Sequence, residues 1–89
     1  MEAFFVYIIQ SEKDSTFYIG YTSNLERRIT QHNESKSGYT SRKKPWKLVY
    51  AEEFSNKSEA LIREKFIKKQ KNKDFYKKLI NSWSGSSVG

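Results

Sequence analysis

The chain has 89 residues, a length that favours one domain with a modest core. It contains no cysteine, which excludes disulfides and thiolate metal sites, and its longest apolar run, residues 3–9, is far shorter than the roughly 20 residues of a membrane helix. The formal charge is +7, from 17 basic and 10 acidic residues, and this excess favours nucleic acid as a partner.

The first predicted elements are two strands joined by a polar turn. Residues 4–10 are aromatic and β-branched, with no polar alternation until Gln10, which predicts a strand buried on both faces. Residues 11–15 are polar and predict a turn, and residues 17–21 predict a second strand. The two strands should therefore form an antiparallel hairpin.

A helix follows, with Ser23 or Asn24 as its cap. Residues at positions i, i+3, i+4 and i+7 share one face, namely Leu25, Arg28, Ile29 and His32. We predict that this face points inward because it carries leucine and isoleucine, and that Arg27 points roughly the opposite way. Residues 33–45 should form a polar, basic loop.

The second half of the chain predicts a third strand over residues 46–54 and a second helix capped by Asn56. One side of this helix carries Ala60, Glu64 and Ile67. Its other apolar side, Ile62 and Phe66, predicts packing against more than one element.

A third, short helix should start at Asp74, and residues 84–89 are small and polar, which predicts a disordered tail. The expected architecture is α/β, of the α+β type. A small three-stranded antiparallel sheet is flanked by about three helices in one domain over residues 1–83. The order of the strands stays open.

Two charged residues, Arg28 and Glu64, occupy positions where packing would prefer leucine. Burying an unpaired charge costs several kcal/mol, so each should be paired, exposed at a cleft or functional. A structural ion pair between them is one alternative. His32 is the only histidine, and a lone histidine is usually structural. Strand tyrosines such as Tyr7 and Tyr18 are most often core residues, although a hairpin can also place both hydroxyls at one edge.

The strand end Tyr18-Ile19-Gly20, a polar turn and an arginine ten residues after Tyr18 resemble the GIY-YIG nuclease superfamily. The resemblance covers residues 4–69 and fits the small, single-domain branch. The second motif is intact, whereas Phe5-Val6-Tyr7 keeps only the tyrosine of the first. The asparagine that many members carry beyond the second helix has only Asn72 and Asn81 as candidates.

The resemblance implies a fold and a set of catalytic residues, which are Tyr7, Tyr18, Arg28, His32 and Glu64. It also implies one divalent ion, Mg²⁺ or Mn²⁺, held by Glu64, because Mg²⁺ keeps several waters and takes few protein ligands. Arg28 offers a forked cation for a phosphate, and Tyr7 or Tyr18 would accept the proton of the attacking water. His32 would either relay that proton or orient the phosphate. Gly20 should allow a tight turn. We expect the five residues to converge on one concave surface.

The function expected from these residues is metal-dependent endonuclease activity on branched, nicked or single-stranded DNA in repair or recombination, in a cytoplasmic protein. Eight basic and two acidic residues between Arg63 and Lys78 give this segment a net charge of +6. The lysines expected to contact nucleic acid are Lys43, Lys44, Lys68, Lys69, Lys71 and Lys73. Because no targeting domain accompanies the motifs, a protein partner would supply specificity. A binding module with a site that no longer cuts is one alternative, and a scaffold with a structural Arg28–Glu64 pair is another.

Overall fold

The computed structural model describes residues 3–36 and 38–88, with residues 84–88 described by their backbone alone. The elements follow in the order β1 (Phe4–Ser11), β2 (Phe17–Thr22), α1 (Leu25–Glu34), α2 (Tyr39–Lys43), β3 (Trp46–Phe54), α3 (Lys57–Gln70) and α4 (Lys73–Val88). The three strands form one antiparallel sheet, so the predicted α+β fold is confirmed. The described residues contain four helices where the sequence predicted about three.

The strand order is β2-β1-β3, which places β1 at the centre of the sheet. This position explains the apolar run of β1, because a central strand with helices on both faces has no side that meets water. Its residues 6–9 are at most 1% exposed. Tyr7 pairs with Gly20 on one side and with Ala51 on the other, and the register with β3 shifts between Ile8 and Ile9.

The two faces of the sheet carry separate apolar clusters. On the face covered by α3 and α4, the α3 face, the buried cluster comprises Val6, Ile8, Ile19, Tyr50, Ala60, Ile67 and Tyr76. On the opposite face, the α1 face, Tyr7, Ile9 and Trp46 pack against Leu25 and Ile29 of α1. Alternate residues of β1 therefore supply the two cores, as the period-2 geometry of a strand requires.

Asparagine side chains cap the N-termini of α1 and α3. The Oδ1 atom of Asn24 accepts a hydrogen bond from the backbone N–H of Arg27 at 3.0 Å, so Asn24 rather than Ser23 is the cap of α1. The Oδ1 atom of Asn56 accepts from the N–H of Glu59 at 2.9 Å, as predicted for α3. Each bond satisfies one backbone donor that the first turn of a helix leaves without a partner.

The end of α1 is tied to the start of β3 by one side chain. The Oδ1 atom of Asn33 accepts from the backbone N–H of Trp46 at 2.6 Å, and its Nδ2 donates to the carbonyl of Trp46 at 3.1 Å. Because Asn33 follows His32 directly, this pair of bonds also fixes the helical turn that carries the histidine.

Three local predictions differ from the structure. The predicted loop over residues 33–45 contains the helix α2. On the second apolar side of α3, Phe66 packs edge-on against Phe75 of α4, a further element as predicted, with ring centroids 5.9 Å apart, whereas Ile62 differs from the prediction. Ile62 is 69% exposed and Phe66 46% exposed, since α3 covers the sheet with its other side. The last helix is longer than predicted and continues to Val88, while Gly89 and the side chains of 84–88 lie outside the described residues, so the disordered tail stays a prediction.

Candidate active site

The phenol of Tyr7 lies over Gly20, its pairing partner in β2. Tyr7 is 1% exposed, and a methyl group built on Gly20 would lie 2.6 Å from the Tyr7 hydroxyl oxygen and 2.8 Å from its Cζ. No side chain fits at position 20 unless Tyr7 moves. The prediction that Gly20 turns the chain between strand and helix is wrong, because Gly20 lies inside β2. Gly20 matters because it has no side chain, which leaves room for the phenol of Tyr7.

His32 meets the same phenol from α1. Its Nε2 atom lies 3.0 Å from the hydroxyl oxygen of Tyr7, and its ring centroid lies 4.9 Å from that of Tyr18. The indole of Trp46, 3% exposed, packs edge-on against Tyr18 and next to His32, with centroids 6.1 and 6.4 Å apart. Tyr7, Tyr18 and His32 therefore form one contiguous ring cluster. The sequence identified Trp46 only as the start of a strand. The signal that could have pointed to its place in the cluster is an aromatic residue directly after Pro45.

Arg28 lies one helical turn before His32 and is exposed. The prediction that it faces the interior is wrong, whereas its helix neighbours Leu25 and Ile29 are half-buried and His32 is buried. An exposed guanidinium keeps its hydration, which burial under the helix would remove. It still reaches the site, since its charge acts on the phenol of Tyr7.

Glu64 is the charged residue that the structure does bury. It is 9% exposed on α3, and Oε2 lies 3.3 Å from the Nζ atom of Lys68, one turn further along the helix. In the described part of the chain, neither Glu64 nor any other carboxylate forms an ion pair with Arg28. A structural Arg28–Glu64 pair is therefore absent there. Although α1 and α3 cover opposite faces of the sheet, the charges of Arg28 and Glu64 both act on Tyr7.

The environment shifts the pKa values of the two contacting groups in ways that keep both neutral. Burial raises the pKa of the Tyr7 phenol well above its ordinary value, Tyr18 and Glu64 add to the increase, and Arg28 opposes it. Burial lowers the pKa of His32 below 6.5, and the nearby charge of Arg28 lowers it further. At neutral pH a protonated phenol thus faces a neutral imidazole, whose Nε2 can accept the phenol's hydrogen bond.

Two polar clefts are lined by Arg28 and share Thr22 and Ser23 as well. One, of about 250 Å³, is also lined by Arg27, so both arginines of α1 face the same cleft. Arg27 is exposed, in agreement with the prediction that it points away from the inward face of α1. The other cleft, of about 440 Å³, extends to Lys57 at the start of α3. Cations from two helices therefore surround the end of β2.

The lysines expected to contact nucleic acid differ in their surroundings. Lys43 is ion-paired with Asp14, Lys44 donates to the carbonyl of Ser35 at 2.9 Å, and Lys68 is paired with Glu64. The others, Lys69, Lys71 and Lys73, are exposed around the end of α3. Lys71 ends that helix in the left-handed conformation. The basic segment therefore presents its charge to solvent at the junction between α3 and α4.

The donor set for a metal ion consists of one carboxylate. Among the described residues, no three histidine or acidic side chains come together. Glu64 alone suits a small hard cation that keeps most of its waters, which is how Mg²⁺ usually binds. Lys68 must give up its contact for that to happen. The side chains present thus fit a hydrated ion held at one point.

Comparison with known families places this fold and site in one class. The family model for the GIY-YIG catalytic domain matches residues 3–79, and the chain belongs to that family. UPF0213 protein SH2523 from Staphylococcus haemolyticus is 49% identical over 69 residues, covering 76% of this chain and 83% of the relative. UPF0213 protein YazA from Bacillus subtilis is 40% identical over 75 residues, covering 81% and 75%.

A solved structure is also similar to this chain. The solution NMR structure of the UPF0213 protein BH0048 from Bacillus halodurans matches with a TM-score of 0.56 and 30% identity. The match covers 89% of this chain and 83% of that one. The described helices include none that is long and apolar enough to cross a membrane.

Proposed function

We propose that this protein is a metal-dependent endonuclease that hydrolyses phosphodiester bonds in branched, nicked or single-stranded DNA during repair or recombination. The observation that carries the proposal is the contact between Tyr7 and His32, made over Gly20 and within reach of Arg28, in a chain of the GIY-YIG family. A phosphodiester needs a fixed cation and a route for one proton, and this cluster offers both.

Arg28 supplies the fixed cation. Its exposed guanidinium lines both polar clefts and lies beside the phenol, so a phosphate entering either cleft meets a permanently charged fork. The charge that builds on the phosphate oxygens during attack is then stabilised without reorganising the site. Arg27 and Lys57 attract the neighbouring phosphates of the same strand.

The proton of the attacking water leaves through Tyr7. Because the pKa of the phenol is raised, Tyr7 is not a phenolate at rest. Its oxygen can accept the water proton while its own proton passes to Nε2 of His32, 3.0 Å away. His32 is neutral at pH 7 because its pKa is lowered, so it is able to take that proton and later release it to solvent.

Glu64 holds the metal ion in this proposal. Mg²⁺ or Mn²⁺, when bound there, supplies Lewis acidity that stabilises the leaving oxygen. The carboxylate is nearly buried at 9% exposure and already holds a cation, the ammonium group of Lys68. Exchange of one cation for another leaves the buried charge compensated throughout.

One observation favours a second function, a nucleic-acid-binding module that does not cut. Lys68 neutralises the only buried carboxylate of the described chain, and Lys69, Lys71 and Lys73 present an exposed cationic surface beside it. If about four such lysines contact phosphates of duplex DNA, log K should fall with log[salt] at a slope near −3.6, about −0.9 for each contact. Replacing the four by glutamate should abolish that binding.

The experiment that separates the two functions is incubation with branched, nicked and single-stranded DNA in Mg²⁺, Mn²⁺ or EDTA. A nuclease cuts at least one substrate in metal only. Glu64→Gln should lower the rate at least about 100-fold, as loss of a charged group at the reacting phosphate does, while DNA affinity is kept. Arg28→Lys should lower the rate to a similar degree with a near-normal melting temperature.

The matched control is Glu53→Gln, which removes the same charge from an exposed position of β3 and should leave the rate unchanged. Absence of metal-dependent cleavage on every substrate, together with salt-dependent binding, would replace the nuclease by the binding module.

A further inference from the structure

A second basic surface lies at the end of the sheet where β1 turns into β2. The turn and the short helix α2 enclose a groove of about 490 Å³ lined by Lys13, Asp14, Tyr39, Arg42 and Lys43. Of these residues only Lys43 was assigned a contact with nucleic acid above. The proposed nuclease function does not use the other four lining residues.

The walls of the groove are fixed to each other. The hydroxyl of Ser11 donates to the carbonyl of Lys43 at 2.5 Å and accepts from the backbone N–H groups of Lys13 and Asp14 at 3.0 and 3.2 Å. The N–H of Glu12 donates to the carbonyl of Pro45 at 2.9 Å. Turn and helix thus form one preorganised surface, which lowers the entropy lost when a ligand binds.

An aromatic ring stands on this surface. Tyr39 is 53% exposed, and the ammonium group of Lys43 lies over its ring, 5.4 Å from the centroid. Lys43 is itself held by its ion pair with Asp14, so the ring is oriented by an anchored cation. An oriented and half-exposed phenol is the kind of platform on which a nucleobase stacks.

The charge of the groove is positive around this ring. Hydrogen bonds from Lys43 and Thr16 hold the pKa of Asp14 well below its usual range, so the carboxylate is ionised and is compensated by Lys43. Lys13 and Arg42 are exposed, and the ammonium group of Lys13 lies 3.4 Å from the carbonyl of Arg42. Two exposed cationic side chains therefore line the same groove as the ring, where they can contact a phosphate.

The groove is connected to the candidate active site through Trp46. The indole Nε1 donates to the carbonyl of Thr40 in α2 at 2.9 Å, and the same indole packs against Tyr18 and His32. One side chain thus joins the base of the groove to the ring cluster.

We propose that this groove binds an unpaired nucleotide, with its base stacked on Tyr39 and its phosphate held by Lys13 and Arg42. A duplex offers no free base face, because its bases are already stacked and paired. The groove therefore selects nucleic acids that carry a single-stranded segment. As a substrate preference this rests on the proposed function, whereas the binding itself does not.

The test is fluorescence anisotropy with labelled dT15 and with a hairpin duplex of equal length, in EDTA so that cleavage plays no part. Tyr39→Leu, a neutral substitution at an exposed position, should weaken dT15 binding about tenfold or more and leave duplex binding unchanged. Tyr39→Phe should bind like the wild type. Lys13→Ala with Arg42→Ala should weaken dT15 binding and reduce its salt dependence.

Phe66→Leu is the matched control. Phe66 is also an exposed aromatic ring with a cation 5.4 Å from its centroid, that of Arg63, but it lies on α3 and away from the groove. Its substitution should change neither affinity. Equal loss in Tyr39→Leu and Phe66→Leu, equal loss on duplex and dT15, or full affinity in Tyr39→Leu would each overturn the proposal. Cleavage assays decide the nuclease separately, so either can fail while the other holds.

Discussion

Each face of the sheet buries a tyrosine with a hydrogen-bond partner, and the partners differ in kind. On the α3 face, Tyr76 donates to the backbone carbonyl of Ile67 at 3.1 Å. On the α1 face, Tyr7 meets Nε2 of His32 at 3.0 Å. A carbonyl can only accept, whereas an imidazole can also gain and release a proton near neutral pH. The same residue type is thus structural on one face and able to take part in proton transfer on the other.

The surroundings reinforce this difference. The α3 face has the larger apolar cluster, and its buried members include Ile67 and Ala60 at 0% exposure. The α1 face has the smaller cluster, and charged residues of two helices act on its phenol. In the proposed function the proton-transfer pair therefore lies on the α1 face, opposite the larger apolar cluster, and substitutions can separate the two.

The largest effect expected is on the α3 face. Ile67→Ala removes a fully buried side chain and should lower the free energy of unfolding by about 2–5 kcal/mol. Ile62→Ala is the control on the same helix, because Ile62 is 69% exposed and its loss should cost less than about 0.5 kcal/mol. Urea unfolding of both variants measures the difference. Equal costs would mean that α3 does not pack as described.

The next effect is on the α1 face. Gly20→Ala places a methyl group 2.6 Å from the Tyr7 hydroxyl, so the ring must move, at a cost of about 1–3 kcal/mol. The proposed cleavage should fall together with the contact to His32, which NMR of the histidine ring reports. Gly38→Ala also strains the backbone, at φ +89°, but meets no atom within 4 Å and should leave the histidine signal in place.

A smaller effect compares the two phenols directly. Tyr7→Phe and Tyr76→Phe each remove one buried hydrogen bond, and each should lower the free energy of unfolding by about 1 kcal/mol. Only Tyr7→Phe should change the titration of His32 and the rate of the proposed cleavage. Thermal unfolding and a cleavage assay on both variants test this. A similar loss of rate in Tyr76→Phe would remove the distinction between the faces.

The smallest effect concerns pH. His32 should titrate below 6.5, because burial and the charge of Arg28 both disfavour the imidazolium, and Arg28→Gln should raise that pKa. The unfolded chain then binds the proton more tightly, so the stability that depends on neutral His32 is present above pH 6.5 and is lost as the pH falls. The rate should rise with pH over the same range. One histidine gives one NMR titration curve, and a value above 6.5 would contradict the prediction.

The sequence predicted those features that depend on local pattern. The three strands follow from their apolar and β-branched runs, and Asn56 as a cap follows from helix chemistry. Burial of Glu64 beside Ala60 and Ile67 follows from helical spacing alone. Family membership was visible because Tyr18-Ile19-Gly20 and Arg28 lie close together in the chain.

Features that depend on how elements meet were not predictable in this way. Gly20 serves Tyr7 across a strand pairing whose register no local pattern specifies. Arg28 is exposed although Leu25 and Ile29 on the same face of α1 pack against the sheet, which helical periodicity does not show. Likewise, the wheel places Ile62 and Phe66 on one apolar side, but it does not show that Phe66 packs against Phe75 of α4 while Ile62 stays 69% exposed.

The two hydrogen bonds between Asn33 and Trp46 have a consequence for association between molecules. β3 is an edge strand, and edge strands offer unpaired N–H and C=O groups to which a strand of another chain can add. At Trp46 the carboxamide of Asn33 occupies both groups, as a neighbouring strand would. The first residue of this edge strand therefore has no free backbone group with which an added strand could pair. Asn33 thus disfavours edge-to-edge aggregation at that end of the sheet.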